Sequence, residues 1–164
     1  MKNNIKDIKM IDDNVLGRQL YKDNDIKVAL HDILEDNVFY LLDSIEKQYC
    51  INIEIIENTL ILNVLSFNSK TINEKIAINI KSISKILREY IILCNSYYDA
   101  IKSSPIQKVE ALDMGRRSLH DDASHELVAK LKESAYMDFN TARRFTTLLS
   151  IIYRKSMVGE NILT

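Results

Sequence analysis

The tightest constraint on this chain is a pair of apolar runs, residues 49–56 and 59–67, that alternate with period two and are separated only by Glu57-Asn58. Successive side chains of a strand point to opposite faces, so each run reads as a strand with one face committed to a core. A two-residue break selects a tight hairpin, with Asn58 suited to a positive φ. A third alternating stretch, Ile76, Ile78 and Ile80, follows the polar Asn68-Ser69-Lys70. The three predict a small antiparallel meander whose apolar face needs a cover.

The second half supplies that cover, because the apolar spacing there changes from two to three and four. Ser82 or Ser84 is expected to cap a long helix to about Ser103, with Ile83, Leu87, Tyr90, Leu93, Cys94, Tyr97 and Ile101 on its inner side. Ser104-Pro105 is expected to restart the helix, Ser as N-cap and Pro at the first helical position. Ile106, Val109, Leu112 and Leu119 continue the pattern, with Gly115 inside it. An interior Gly costs about 1 kcal/mol relative to Ala, which points to close approach by a neighbour or a ligand. A break is expected at His120-Asp121-Asp122, the two aspartates acting as N-caps of a helix carrying Leu127, Val128 and Leu131. Asp138 is expected to cap a final helix with Ala142, Phe145, Leu148, Leu149 and Ile152.

Before the meander, residues 5–11 read as a short strand and residues 14–24 as a loop. A helix follows from Asp25 to about Asp36, its stripe being Ile26, Ala29, Leu30, Ile33 and Leu34, with His31 just outside it. The expected fold class is α+β: a small antiparallel β-sheet, mainly from the N-terminal half, packed by a C-terminal helical layer. With 164 residues against a usual domain size of roughly 100–150, one domain over residues 1–156 is expected, with 157–164 as a frayed tail.

Composition narrows the function classes. The net charge of −1 argues against nucleic acid, whose partners carry a basic stripe or a strongly basic pI. Residues 1–7 lack the apolar stretch of a secretory signal, and no run of 18 apolar residues occurs, so a cytoplasmic protein without membrane contact is expected. Cys50 and Cys94 form no CxxC pair and read as buried free thiols in a reducing compartment. No cofactor motif is present.

Arginine usage singles out one region. The chain has 24 Ile, 15 Lys and 14 Asn against 7 Arg, 8 Ala, 3 Gly and 1 Pro, a bias that suggests an AT-rich genome. Of the 19 Arg, Ala, Gly and Pro residues, 12 lie between Asp99 and Arg144, and no Arg occurs between Arg18 and Arg88. Arginine offers a planar fork that lysine lacks. Arg116, Arg117, Arg143 and Arg144 are therefore candidates for a role in which lysine fails, either a ligand contact or a structural ion pair, or else stand there, like the alanines, simply as good helix formers.

Three clusters follow. Asp113, Arg116, Arg117 and His120 fall along one side of a helix, with Gly115 leaving a gap beside them. They suit a phosphate or carboxylate, or else form an Asp113–Arg117 ion pair on a solvated face. His120 and His125 are five apart, which does not share a helix face, so no metal site is expected. Arg143 and Arg144 stand near a helix N-terminus, where positive charge opposes the macrodipole, so they need acidic partners or an anion. One member of each adjacent pair must point away from the other, and Tyr97-Tyr98 divides in the same way between core and site.

The blocks Leu93–Ile101, Glu110–His120 and Asp138–Phe145 make the chain resemble uncharacterised protein family 0262, found chiefly in alphaproteobacteria. The similarity runs from Arg88 to Lys155, and the N-terminal half agrees in pattern only. The chain departs from the family at Ser118, where glycine is usual, at Asp121-Asp122-Ala123 in place of Asn-Glu-Gly, and at Tyr153 or Arg154 in place of a tryptophan. The resemblance implies an intracellular bacterial protein and carries no catalytic residue over.

Three functional readings stand at this point. The first is a non-enzymatic binding or regulatory module, whose surface near Tyr97, Asp113, Arg116, Arg117, His120, Arg143 and Arg144 engages an anionic small molecule or an acidic partner segment. The second is an enzyme acting on a phosphorylated or carboxylated metabolite, with His120 as general acid/base and the arginines as clamps. The third is a homodimer sealed by an arginine-rich interface.

Overall fold

The computed structural model describes residues 2–11, 22–69 and 71–163, without the side chains of residues 72, 73 and 157–163. Its elements run β1 (Asn4–Met10), α1 (Asn24–Glu35), β2 (Phe39–Leu41), β3 (Gln48–Ile56), β4 (Thr59–Ser66), β5 (Ile72–Asn79), α2 (Lys81–Ser103), α3 (Ile106–Leu131), β6 (Ala135–Met137) and α4 (Phe139–Leu163). Most of the loop expected over residues 14–24 lies outside the described residues.

β3, β4 and β5 form the antiparallel meander, its hairpin closing at Ile56↔Thr59. The positive φ belongs to Glu57 (54°), one place earlier than expected. The Asn58 carbonyl is occupied instead, accepting from the Ile80 amide at 2.8 Å, which ties the hairpin to the end of β5.

β1 joins the other edge of β3 in parallel, from Ile5↔Tyr49 to Met10↔Ile53, so the four-stranded sheet is mixed, in the order β1-β3-β4-β5. A parallel neighbour needs a crossover, and α1 with β2 provides it. Asn37 fastens that crossover from inside. It is buried, its Oδ1 accepts from the Ile5 amide at 2.7 Å, and its Nδ2 donates to the carbonyls of Ile5 and Ile33. Asp23 caps α1 by accepting from the Ile26 amide. β2 and β6 pair as a separate antiparallel ribbon. At three residues each, they are too short to display a period.

The inner faces of the strands, including Ile5, Tyr49, Ile51, Ile53, Leu60, Leu62, Val64 and Ile76, meet Ile83, Leu87, Leu127, Leu131, Phe145 and Leu149 of the helices in one core. The α+β layering is therefore as expected, and Cys50 and Cys94 are buried and free of disulfides. Among the described residues, no helix is long and apolar enough to cross a membrane.

The helices depart from expectation at their ends. α2 begins at Lys81 with no side-chain cap from Ser82 or Ser84, and Asn79 Oδ1 accepts from the Lys81 amide instead. Its inner stripe gives out before Ile101, which is exposed while Ala100 is buried. α3 has Pro105 rather than Ser104 as its N-cap. No break occurs at His120-Asp121-Asp122, because His120, Ala123, Ser124, Leu127 and Leu131 form one unbroken buried stripe along α3. Packing of that stripe on α4 outweighs the weak helix preference of two aspartates. Asp138 does cap α4, accepting from the Thr141 amide at 2.9 Å. The α4 backbone runs to Leu163, and the packing of the expected tail, residues 157–164, falls outside the described residues.

Candidate functional site

Where α3 passes α4, three α3 residues (Arg116, Arg117, His120), four α4 residues (Asn140, Arg143, Arg144, Thr147) and Tyr90 of α2 line a cleft of about 460 Å³. The spacings explain the grouping. Residues three and four apart share a helix face, and both sets obey that rule. Five of the seven expected site residues line the cleft. Tyr97 and Asp113 do not, and they act one step back, on Arg116.

Each adjacent arginine pair is divided. The Arg116 side chain is 21% exposed and its guanidinium is held twice by Asp113, through Nε at 2.8 Å and a terminal nitrogen at 2.7 Å. The same guanidinium lies 4.2 Å from the centre of the Tyr97 ring. Burial works against its charge, but the hydrogen bond and charge of Asp113, with a contact from Cys94, hold its pKa above the ordinary arginine value. Arg117 is 70% exposed and reaches the other Asp113 oxygen at 3.2 Å. On α4, Arg144 donates to the Asp36 carbonyl, with the Asp36 carboxylate 4.0 Å away. Arg143 is half exposed, its Nε 3.4 Å from Asp121 of α3. Arg116 and Arg144 are thus anchored, while Arg117 and Arg143 are presented. Of the two tyrosines, Tyr97 lies half-buried beneath Arg116 and Tyr98 is exposed.

Gly115 serves packing. A Cβ there would lie 3.1 Å from Leu93 Cδ1, so Leu93 of α2 fills the gap expected beside the arginines. The acids of the second pair were also hidden from the sequence. They are Asp121 and Asp36, from elsewhere in the fold, and not the neighbouring Asp138.

His120 is buried against the cleft wall, with Nε2 3.0 Å from the Thr147 hydroxyl. That hydroxyl donates to the Arg143 carbonyl, so its oxygen accepts and the His120 proton is assigned to Nε2. Nδ1 is buried with no hydrogen-bond partner among the described residues. Burial lowers the His120 pKa and the charge of Arg143 lowers it further, while Asp121 opposes them. The ring is therefore neutral at neutral pH. Tyr90 packs on it edge-on at 5.3 Å. Burial pushes the Tyr90 phenol up to about 12, reinforced by Cys94 and opposed by Arg116 and Arg154. Formal charge in the cleft thus comes from four guanidiniums, offset in part by the three carboxylates Asp113, Asp121 and Asp36.

Asn140, Thr147 and Tyr90 were missed by sequence reasoning. The 140-143-144-147 spacing is the signal that finds the first two. Helical spacing puts Tyr90 on the inner stripe of α2, and only the approach of α3 brings it to the cleft. A smaller hollow of about 250 Å³ shares Arg144 and Thr147 and is lined on its far side by Ala29, Asp32 and Glu35. His125 lies apart from His120 in role, stacked on Phe139 at 4.4 Å. Among the described residues, no three His, Cys, Asp or Glu side chains are grouped so as to hold a metal.

The match to known proteins extends beyond the three blocks of the second half. Residues 2–155 match the uncharacterised protein family UPF0262. The chain is 35% identical over 127 residues to a UPF0262 protein of Brucella canis, covering 77% of this chain and 79% of the relative. A UPF0262 protein of Agrobacterium fabrum is 31% identical over 144 residues, 88% of this chain and 91% of that one. One of Allorhizobium ampelinum is 30% identical over 151 residues, 90% and 96% respectively. No solved structure matches the chain. With nearly its whole length matched and relatives of near-equal extent, the chain belongs to uncharacterised protein family UPF0262.

Proposed function

We propose that this protein is a non-enzymatic binding module whose cleft between α3 and α4 takes an anionic small molecule. The observation that carries this reading is the meeting of Arg117 and Arg143, presented from two different helices, over one concave space. Guanidinium forks recognise carboxylate and phosphate oxygens in bidentate fashion. Arg143 shares a half-exposed pair with Asp121, and Arg117 is itself exposed over a half-buried Asp113; pairs with a solvent-exposed member contribute only about 0–1 kcal/mol each and are exchanged for a ligand oxyanion. Uncharged Tyr90 and Asn140 supply hydrogen bonds that orient such a ligand.

The geometry of His120 favours a binder over an enzyme. A general acid/base must reach the proton that it moves. The Nε2 proton of His120 is committed to Thr147, and Nδ1 is enclosed.

A thermal-shift screen against nucleotides, phosphorylated metabolites and dicarboxylates tests the reading. Ligand at a hundred times its Kd stabilises by about 2.7 kcal/mol, a shift of a few degrees for a chain of this size. The expected hit is lost in Arg143→Lys, which keeps charge but not the fork. A screen without hits transfers the arginine cluster to an acidic partner segment or to a homodimer interface.

A further inference from the structure

We infer that the ligand of the cleft carries two oxyanion groups on one molecule, one for Arg117 and one for Arg143. This rests on the anion-binding reading above and goes further, because the cleft is built for two anions rather than one. Each arginine pair contributes one anchored and one presented guanidinium, so each helix offers a single solvent-facing fork, paired with one aspartate that a ligand can displace. One carboxylate or phosphate satisfies one such fork.

The forks are set apart by the helix itself. Arg143 sits against Asp121 of α3, whereas Arg117 is held at Asp113, eight residues earlier on the same helix. Eight residues of α-helix advance about 12 Å, so the carboxylates that hold the two guanidiniums stand roughly two turns apart. A volume of about 460 Å³ leaves room for a linker between two anions. Tyr90, Asn140 and Thr147 face that linker with uncharged polar groups.

The far side of Arg144 limits the ligand's length. There the cleft gives way to the hollow bearing Asp32 and Glu35, which repels a further anion. The molecule that fits is therefore doubly anionic, a bisphosphate or a dicarboxylate.

Titration calorimetry of the full chain at constant ionic strength separates the possibilities. Fructose 1,6-bisphosphate is compared with fructose 6-phosphate, and succinate with acetate. In at least one pair the double anion binds about a hundredfold tighter than its single-anion partner, the gain expected from linking two contacts. The pair that shows the preference identifies the oxyanion as phosphoryl or carboxyl. Arg117→Gln and Arg143→Gln, both at exposed side chains, each reduce that preference to a few-fold. If single and double anions bind equally well in both pairs, the two-anion inference is overturned while anion binding itself survives. If wild-type protein binds none of the four, nor phosphate or pyrophosphate, both readings fall. A preference that persists in both variants overturns the assignment to these arginines.

Discussion

Ile51 and Ile53 of β3 are closed off between the sheet and the helices, whereas Arg117 and Arg143 stand over the cleft with half or more of their side chains in solvent. The two regions are held by different physics. The sheet interior is stabilised by removal of apolar surface from water, which is non-directional and tolerates exchange among Ile, Leu and Val of similar volume. The cleft depends on direction, since a fork must meet an oxygen pair in a particular plane, and its presented arginines lie open to solvent. The chain therefore concentrates stability in the sheet and leaves the arginine surface free to exchange partners. Four measurements test this contrast.

Ile51→Ala should cost about 2–5 kcal/mol, as expected for a large-to-small change in a fully closed core, read as a lower urea midpoint with an unchanged slope. A loss below about 1 kcal/mol would show that the sheet interior is not the main store of stability.

Asn37→Leu is the polar counterpart within the same region. It strips partners from the Ile5 amide, the Ile5 carbonyl and the Ile33 carbonyl. Unfolding stability should fall by about 2 kcal/mol, since a buried unpaired backbone group costs about 1–3 kcal/mol. Hydrogen exchange at the Ile5 amide should accelerate alongside it.

The boundary between the regions lies at His120. Its folded pKa is depressed, so below the ordinary value of about 6.5 the unfolded chain takes up a proton before the folded one does. Its contribution to stability is therefore fully present above about pH 7, is lost as pH falls through 6.5, and levels off below the folded pKa. The slope for this one proton is at most about 1.4 kcal/mol per pH unit. His120→Gln retains an amide donor for Thr147 and removes the titration. The difference between wild type and variant should therefore shrink from pH 7.5 to pH 5.5. A difference that is constant with pH would assign the protonation-linked loss to another group.

The smallest effects separate anchored from presented arginines. Arg116→Lys loses the fork on Asp113 and the stacking on Tyr97, and should lower stability by about 1 kcal/mol. Arg117→Lys, at a wet pair, should change it by less than about 0.5 kcal/mol while weakening ligand binding. Equal stability losses at the two positions would place both arginines among the structural ion pairs.

The elements that could be read from the sequence are those with local causes. The meander follows from period two, and the α4 cap follows from Asp138 standing three residues before Thr141. The adjacency of the arginines on α3 and α4 is a matter of spacing alone. Where local signals competed with packing, packing decided. Asp121-Asp122 looks like a helix start, yet α3 runs through it because the stripe from His120 to Leu131 is buried against α4. Three-residue β2 and β6 exist only because they find each other across 94 residues or more of chain, from Leu41↔Ala135 to Phe39↔Met137.

From the sequence came an α+β chain, the three strands of the meander, the helical stretches in outline with α3 read as two, and two adjacent arginine pairs. These depend on periodicity and on side-chain chemistry within a few residues. Only the tertiary structure decided that β1 would join in parallel, that the two arginine pairs would face one cleft, and which member of each pair would be anchored. Those outcomes rest on contacts such as Arg144 with Asp36 and Arg143 with Asp121, whose partners are distant along the chain. A guanidinium is held or presented according to the carboxylates and rings brought beside it, and no local pattern encodes that placement.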